Sequence, residues 1–218
     1  MVPIDDGLFA GATNAYMRRT NRGNVMDLPP RRSALKEATW SAHMALDALV
    51  GSFGTAADYR CYLAGIAAFR LPVEAWLSKN SLPPAFSDWQ PGFVRDELKA
   101  DLADLDTPEP PDGRPFSPPE GEGVVGLLYV LEGSSLGARL LAKRAEALGF
   151  SAEFGARHLF SQARNFSNWR AFSERMEIVR EYDARAAAHW ANTAFDYARD
   201  AFESALNADH AVRRPDQL

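Results

Sequence analysis

The chain reads as an all-α protein of about seven helices of ordinary length. Apolar residues recur at helical spacing from Leu35 onward, no stretch alternates as a half-buried strand does, and neither glycine nor proline falls between Gly155 and Pro215. Residues 1–30 precede this pattern. They scatter Gly, Asn and Arg, end in Pro29-Pro30 and read as a mobile N-terminal arm, with residues 31–212 as a single helical domain and 213–218 as a short tail.

The first helix opens near Ser33, carries Leu35, Thr39, Ala42, Leu46 and Leu49 on one side, and stops at Gly51. The second opens at Thr55, where Asp58 stands three residues on as in a capping box, and buries Tyr59, Leu63, Ile66 and Phe69. Pro72 is expected to kink or break it, because proline removes a donor and crowds the preceding turn; Trp76 and Leu77 continue it. A third helix is expected to start between Asp88 and Pro91 and to bury Phe93, Val94, Leu98, Leu102 and Leu105. Six prolines between Thr107 and Pro119 then exclude a regular ladder. Gly123 to Leu148 reads as one long helix ended by Gly149, with glycines in its interior. Two or three further helices carry Trp169, Phe172, Met176, Trp190, Tyr197, Phe202 and Leu206.

With 46% hydrophobic and 24% charged residues the chain can bury a sizeable core, which excludes a disordered protein. A net charge of -5 gives no overall footprint for nucleic acid or an anionic membrane, so neither is expected as a partner. The single cysteine, Cys61, excludes an internal disulfide and a Cys-based zinc site, and suits a reducing, cytoplasmic location. The most apolar run, Gly123 to Leu131, is closed by Glu122 and Glu132 and falls short of the ~20 residues a bilayer needs. Asp5 and Asp6 sit where a secretory signal would need an apolar stretch.

Two constellations could carry chemistry. His43 lies in phase with the apolar side of the first helix, and Asp47 follows one turn later on the same face. A carboxylate that accepts one ring N–H fixes the tautomer and makes the other nitrogen a better metal ligand, although the same pair also serves as a plain helix-surface contact. The second is Glu132-Gly-Ser-Ser-Leu-Gly-Ala138, where Gly133 and Gly137 share a face and Gly126 lies two turns earlier. Each interior glycine costs the helix about 1 kcal/mol relative to alanine. Either these small residues admit a close-packed neighbouring helix, or a flat ligand lies against bare backbone. Membrane dimerisation is rejected, because Glu132, Arg139, Lys143 and Arg144 flank the glycines. His158 and His189 read as structural and His210 as solvated; no nucleophile elbow or phosphate-cradling loop is present.

Leu35-Lys-Glu-Ala-Thr39 followed by His43, with Tyr129-Val-Leu-Glu-Gly-Ser-Ser-Leu-Gly-Ala138 about ninety residues on, resembles the heme oxygenase family, its soluble bacterial branch in particular. The resemblance covers nearly everything after Pro30. It implies a heme-oxygenase-like bundle that sandwiches heme between a proximal helix, here the first, and a kinked distal helix, here the long one. His43 then resembles the axial ligand to heme iron, with Asp47 supporting it. Gly133 and Gly137 match the distal glycines that let backbone approach the porphyrin and leave room for dioxygen. Ser134 stands where mammalian relatives carry an aspartate that orders water, so it is the third residue placed in catalysis. Lys36 matches a basic residue that pairs with a heme propionate, Arg170 is a second candidate, and Tyr129 lines the distal pocket.

The activity so implied uses heme as both cofactor and substrate and opens its ring with dioxygen to biliverdin, releasing carbon monoxide and ferrous iron. No flavin motif or iron–sulfur cysteine set is present, so the electrons come from outside, from a ferredoxin or a flavoprotein reductase. A phytochrome is a possible recipient of the biliverdin. Two rivals stand beside this reading: a non-degrading heme or small-molecule binding protein of the same fold, and a helical interaction module whose glycines pack a partner helix.

Overall fold

The computed structural model describes residues 30–110 and 116–213, with side chains as far as Asp209. The expected arm therefore lies, but for Pro30, outside the described residues, as do the side chain of His210 and the last residues of the tail. Among the described residues there are seven α-helices and no strand: α1 (Arg31–Val50), α2 (Ala56–Leu77), α3 (Arg95–Asp104), α4 (Val124–Ala147), α5 (Arg157–Arg164), α6 (Phe166–Ile178) and α7 (Ala184–Arg213). Short 3-10 turns at Pro84–Phe86 and Gly121–Gly123 lead into α3 and α4. The long α7 packs against α1, α2 and α4; α5 lies across α4 and α3, and α6 across α4 and α1.

Several of these ends follow from local chemistry. Gly51 stops α1 with a positive φ of 59°, which a side chain would resist. Thr55 and Asp58 form the reciprocal capping box that opens α2. Pro72 does not break α2; Val73 and Leu77 beyond it are buried and hold the last turn in the core. α4 and its leading turn are apolar and long enough to cross a membrane by length and composition, but more than half of the apolar stretch is buried against the protein, as a core helix is.

Among the helices that begin without a side-chain cap of their own, three have Pro30, Val94 and Ala156 at their N-caps. In each case a distant carboxylate takes the open N–H groups. Glu177 on α6 accepts from the backbone of Arg31 and Arg32, both at 2.9 Å. Glu74 on α2 accepts from Val94 and Arg95 at 3.0 and 2.9 Å. Asp101 on α3 accepts from Arg157 and His158 at 2.9 and 3.0 Å.

This corrects one expected boundary. α3 starts at Arg95 rather than between Asp88 and Pro91, Phe93 is exposed, and Leu105 caps the end instead of lying within the helix. Glu74 sets the start, while Glu132 holds Trp89 and the Gly92 N–H in a non-helical lead-in. At the other end of the chain α7 runs to Arg213, one residue into the expected tail.

Asp101 also holds His158, whose Nδ1 lies 2.7 Å from its Oδ2 with both side chains fully buried. Burial keeps this imidazole below its ordinary value of 6.5, against the pull of Asp101. The unfolded chain therefore takes up the proton first, and stability is lost as pH falls below 6.5. Thermal melts near pH 7.5 and about 5.5, on either side of the ordinary histidine range, should show a larger fall in Tm for the wild type than for His158→Gln.

Candidate functional site

On α1 the core side is set by Leu35 and Thr39, both buried. Lys36, Trp40, His43 and Asp47 fall on the adjoining face at spacings of three and four residues. His43 Nδ1 lies 3.1 Å from Asp47 Oδ2, with the two side chains 48% and 59% exposed. With Nδ1–H donated to the carboxylate, Nε2 keeps its lone pair for a ligand. Phe195 of α7 meets the imidazole edge-on at 5.6 Å and braces the ring from the core side. Trp40 and Met44 bracket His43 and are 51% and 46% exposed, an unusual outlay of large apolar side chains.

α4 has two opposed sides. One buries Val125, Leu128, Leu131, Ser135, Ala138, Ala142 and Ala145; the other carries Tyr129, Gly133, Gly137, Leu140 and Arg144. The three interior glycines serve two different purposes. A Cβ on Gly126 would come within 2.0 Å of the Ala187 carbonyl oxygen, so this glycine is where α4 lies against α7. A Cβ on Gly133 would meet Trp169 at an ordinary 3.5 Å, and one on Gly137 would have nothing within 4 Å. Helix packing thus explains Gly126 and leaves Gly133 and Gly137 unexplained by any protein neighbour.

The two faces are held opposite each other. At one end the Tyr129 hydroxyl lies beside Thr39; at the other Arg144 donates to the Gly51 carbonyl at 3.2 Å. α1 and α4 therefore run in the same direction, tied about 18 Å apart along one axis and about 22 Å along the other at 1.5 Å per residue. Between the ties they do not pack against each other. His43 and Gly133 each stand one turn beyond the Thr39–Tyr129 tie, and Asp47 and Gly137 two turns beyond it. The result is a slot with an imidazole on one wall and bare backbone on the other. Leu140, 52% exposed, extends the second wall.

Behind the glycine wall lies a polar cluster that sequence reasoning missed. Ser134 Oγ is 2.7 Å from the Leu131 carbonyl and 2.9 Å from Gln162 Oε1, and accepts from Arg70 at 3.1 Å. Arg70, 1% exposed, also pairs with Glu74 at 2.6 Å and donates to the Gly92 carbonyl at 2.8 Å. Glu132 accepts from Trp89, Gly92 and Asn168; burial pushes its carboxyl above the usual range, against those three donors. Gln162, Glu132 and Ser135 line a cavity of about 270 Å³ on the core side of α4, whose mouth carries Phe93 and Arg164. Nothing local in the sequence marks this cluster except Arg70 and Glu74, a charged pair one turn apart in an apolar helix.

Of the residues singled out from sequence, His43, Asp47, Gly133, Gly137 and Tyr129 are brought to the slot. Lys36 is exposed on the α1 face one turn before Trp40, with its ammonium 5.6 Å from the Trp40 ring centre. Arg170 is exposed on α6 and ion-paired with Glu174 at 3.1 Å. Ser134 faces the polar cluster. Among the described residues no cluster of His, Cys, Asp and Glu could hold a metal ion by itself, so a metal at His43 would have to arrive within a larger ligand.

No family model matches the chain. It is 30% identical to the heme oxygenase PigA of Pseudomonas aeruginosa, over 79% of this chain and 91% of that protein. Among solved structures, the NO- and CO-bound heme oxygenase from Neisseria meningitidis superposes with a TM-score of 0.66 at 25% identity, over 83% of this chain and 94% of the other.

The glycines give a contrast that a melting experiment reads directly. Gly137→Ala should raise the stability of the ligand-free protein by roughly 0.5–1 kcal/mol, since the methyl group meets no neighbour and the helix gains propensity. Gly126→Ala should lower it by at least ~1–3 kcal/mol, because backbone must move to admit the methyl group.

Proposed function

The chain belongs to the heme oxygenase family, and we propose that it binds heme in the slot between α1 and α4 and opens it with dioxygen to biliverdin, carbon monoxide and ferrous iron. One observation supports this placement above the others: Gly137 looks onto open space, and Gly133 one turn before it meets only the Trp169 ring at ordinary contact distance, across from a histidine whose Nδ1 is already committed to Asp47. A planar, largely apolar molecule with a metal at its centre answers both walls at once, and Trp40, Met44 and Leu140 supply apolar cover for it.

Heme brings the redox-active iron to which dioxygen binds; the protein supplies position and protons. His43 Nε2 would hold the heme iron, with Asp47 fixing the tautomer and ring plane. Gly133 and Gly137 would leave the opposite side free of their own side chains, with space there for dioxygen. Ser134 faces away from the slot into the Arg70–Gln162 cluster, so it is assigned to water that would be ordered through that cluster; its hydroxyl donates and accepts. Tyr129, half-buried beside Thr39, closes one end. Lys36 is the cation assigned to a propionate, and Arg170 can serve as a second only by giving up Glu174.

The electrons come from outside, since the single Cys61 offers no iron–sulfur set. A ferredoxin or a flavoprotein reductase in a reducing cytoplasm fills that need, and a phytochrome is an acceptor for the product. The test is an absorption titration with hemin, for wild type and His43→Ala, followed by ascorbate in air. A histidine-dependent Soret band that decays as biliverdin appears is the expected result. A Soret band unchanged by His43→Ala would remove the axial-ligand assignment. One that persists under reductant and air would replace the oxygenase with a non-degrading heme carrier.

A further inference from the structure

The cavity of about 270 Å³ on the core side of α4 takes no part in the slot, yet most side chains that face it are polar. Several of these are already used. Glu132 receives Trp89, Gly92 and Asn168 on its two oxygens, Ser135 gives its hydroxyl proton to the Glu132 carbonyl at 2.7 Å, and Ser161 gives its own to Glu97 at 3.1 Å. The amides of α5 are different. Gln162, 7% exposed, holds Ser134 with its Oε1, and its Nε2 faces the cavity with no partner among the described residues. Asn165, one turn on along the same face, is half-buried, and its side-chain amide is likewise unpartnered among the described residues. A Cβ on Gly92 would come within 2.6 Å of Asn165 Nδ2, so the glycine makes room for that amide at the cavity wall. Arg164 adds a guanidinium at the mouth.

We propose that this cavity is a second binding site, and that it takes a short-chain carboxylate whose oxygens accept from Gln162 and Asn165 and whose charge faces Arg164. A buried amide N–H left without an acceptor is rare and costly, so the lining calls for a molecule that brings acceptors. A carboxylate brings them on one small planar group, and the guanidinium at the mouth selects the charged form over a neutral amide of the same shape. Volume sets the size. At ~30 Å³ for each water the cavity holds about nine, which lies below the usual ~300–1,000 Å³ of a drug-sized site and fits a chain of a few carbons. Val94 and Leu131 give that chain an apolar side, and Phe93, 38% exposed, forms a lip. Glu132 is kept from opposing the ligand by the three N–H groups on its oxygens and by the charge of Arg70. Because Gln162 also holds Ser134, a bound carboxylate fixes the amide that lies behind the glycine wall.

The test uses the heme-free full chain, with butyrate as the probe, butyramide as its neutral counterpart and sodium chloride to hold the ionic strength constant. Butyrate should shift the side-chain amide resonances of Gln162 and Asn165 in a saturable manner, and calorimetry should give the same Kd. Arg164→Ala should raise that Kd by about tenfold, and Asn165→Ala by a similar factor, since each removes a donor to a charged acceptor. Butyramide should bind more weakly by about tenfold or more. Shifts that do not saturate, or that leave both amides unmoved, would overturn the site. So would an unchanged Kd in both variants, which would place the binding elsewhere. Butyramide bound as tightly as butyrate would overturn the choice of a carboxylate. Thermal melts show whether a variant has failed to fold, and in that case the wild-type amide shifts and the butyramide comparison still decide. Heme is absent from every arm, so failure of the oxygenase reading would leave this result standing.

Discussion

Carboxylates that cap helices other than their own hold this structure together, two of them, Glu74 and Asp101, buried and one, Glu177, exposed. Glu177, Glu74 and Asp101 each close the N-terminus of a helix that carries no cap in its own sequence, and so tie α6 to α1, α2 to α3 and α3 to α5. An isolated buried charge would cost several kcal/mol. Glu74 and Asp101, the two buried ones, are each met by two aligned N–H groups at the positive end of a helix, a geometry worth up to ~2 kcal/mol where partly buried. The slot depends on this chain of ties. Glu74 also fixes Arg70, Arg70 fixes Ser134 and the Gly92 loop, and Asp101 seats the helix that presents Gln162 to the same serine.

The slot itself arises because α4 is asked to do different things along its length. Near its start it lies directly on α7, and Gly126 permits that contact. Two turns later glycine recurs at Gly133, which meets only the Trp169 ring at ordinary contact distance, and at Gly137, which looks onto open space. What separates the two is the pair of ties at Tyr129 and Arg144, which keep α1 and α4 aligned without letting them close.

The all-α class, the number of helices and most boundaries were legible in the sequence, because periodicity and local caps such as Thr55 with Asp58 are short-range signals. Where a helix takes its cap from far away, sequence reading went astray: α3 was expected several residues early since nothing near Val94 shows that Glu74 will supply its cap. His43 and Asp47 were legible as a pair because one helix presents both. Spacing alone left the glycine stripe open between packing and ligand contact, and only three-dimensional surroundings separate Gly126 from Gly137. The polar cluster of Arg70, Ser134 and Gln162 was invisible for the same reason, its members coming from three helices.

The exposed apolar walls of the slot bear on how long the protein lasts. With Trp40, Met44 and Leu140 half-exposed, the chain leaves large apolar side chains uncovered, and substrate bound at the proposed slot would cover them. A ligand that binds only the folded state adds RT ln(1 + [L]/Kd) to stability, about 2.7 kcal/mol at a hundredfold excess over Kd. Each turnover destroys that ligand. The amount of folded protein in a cell is then tied to the supply of the compound it consumes: plentiful substrate protects the chain from proteases, and exhaustion of substrate exposes it to them.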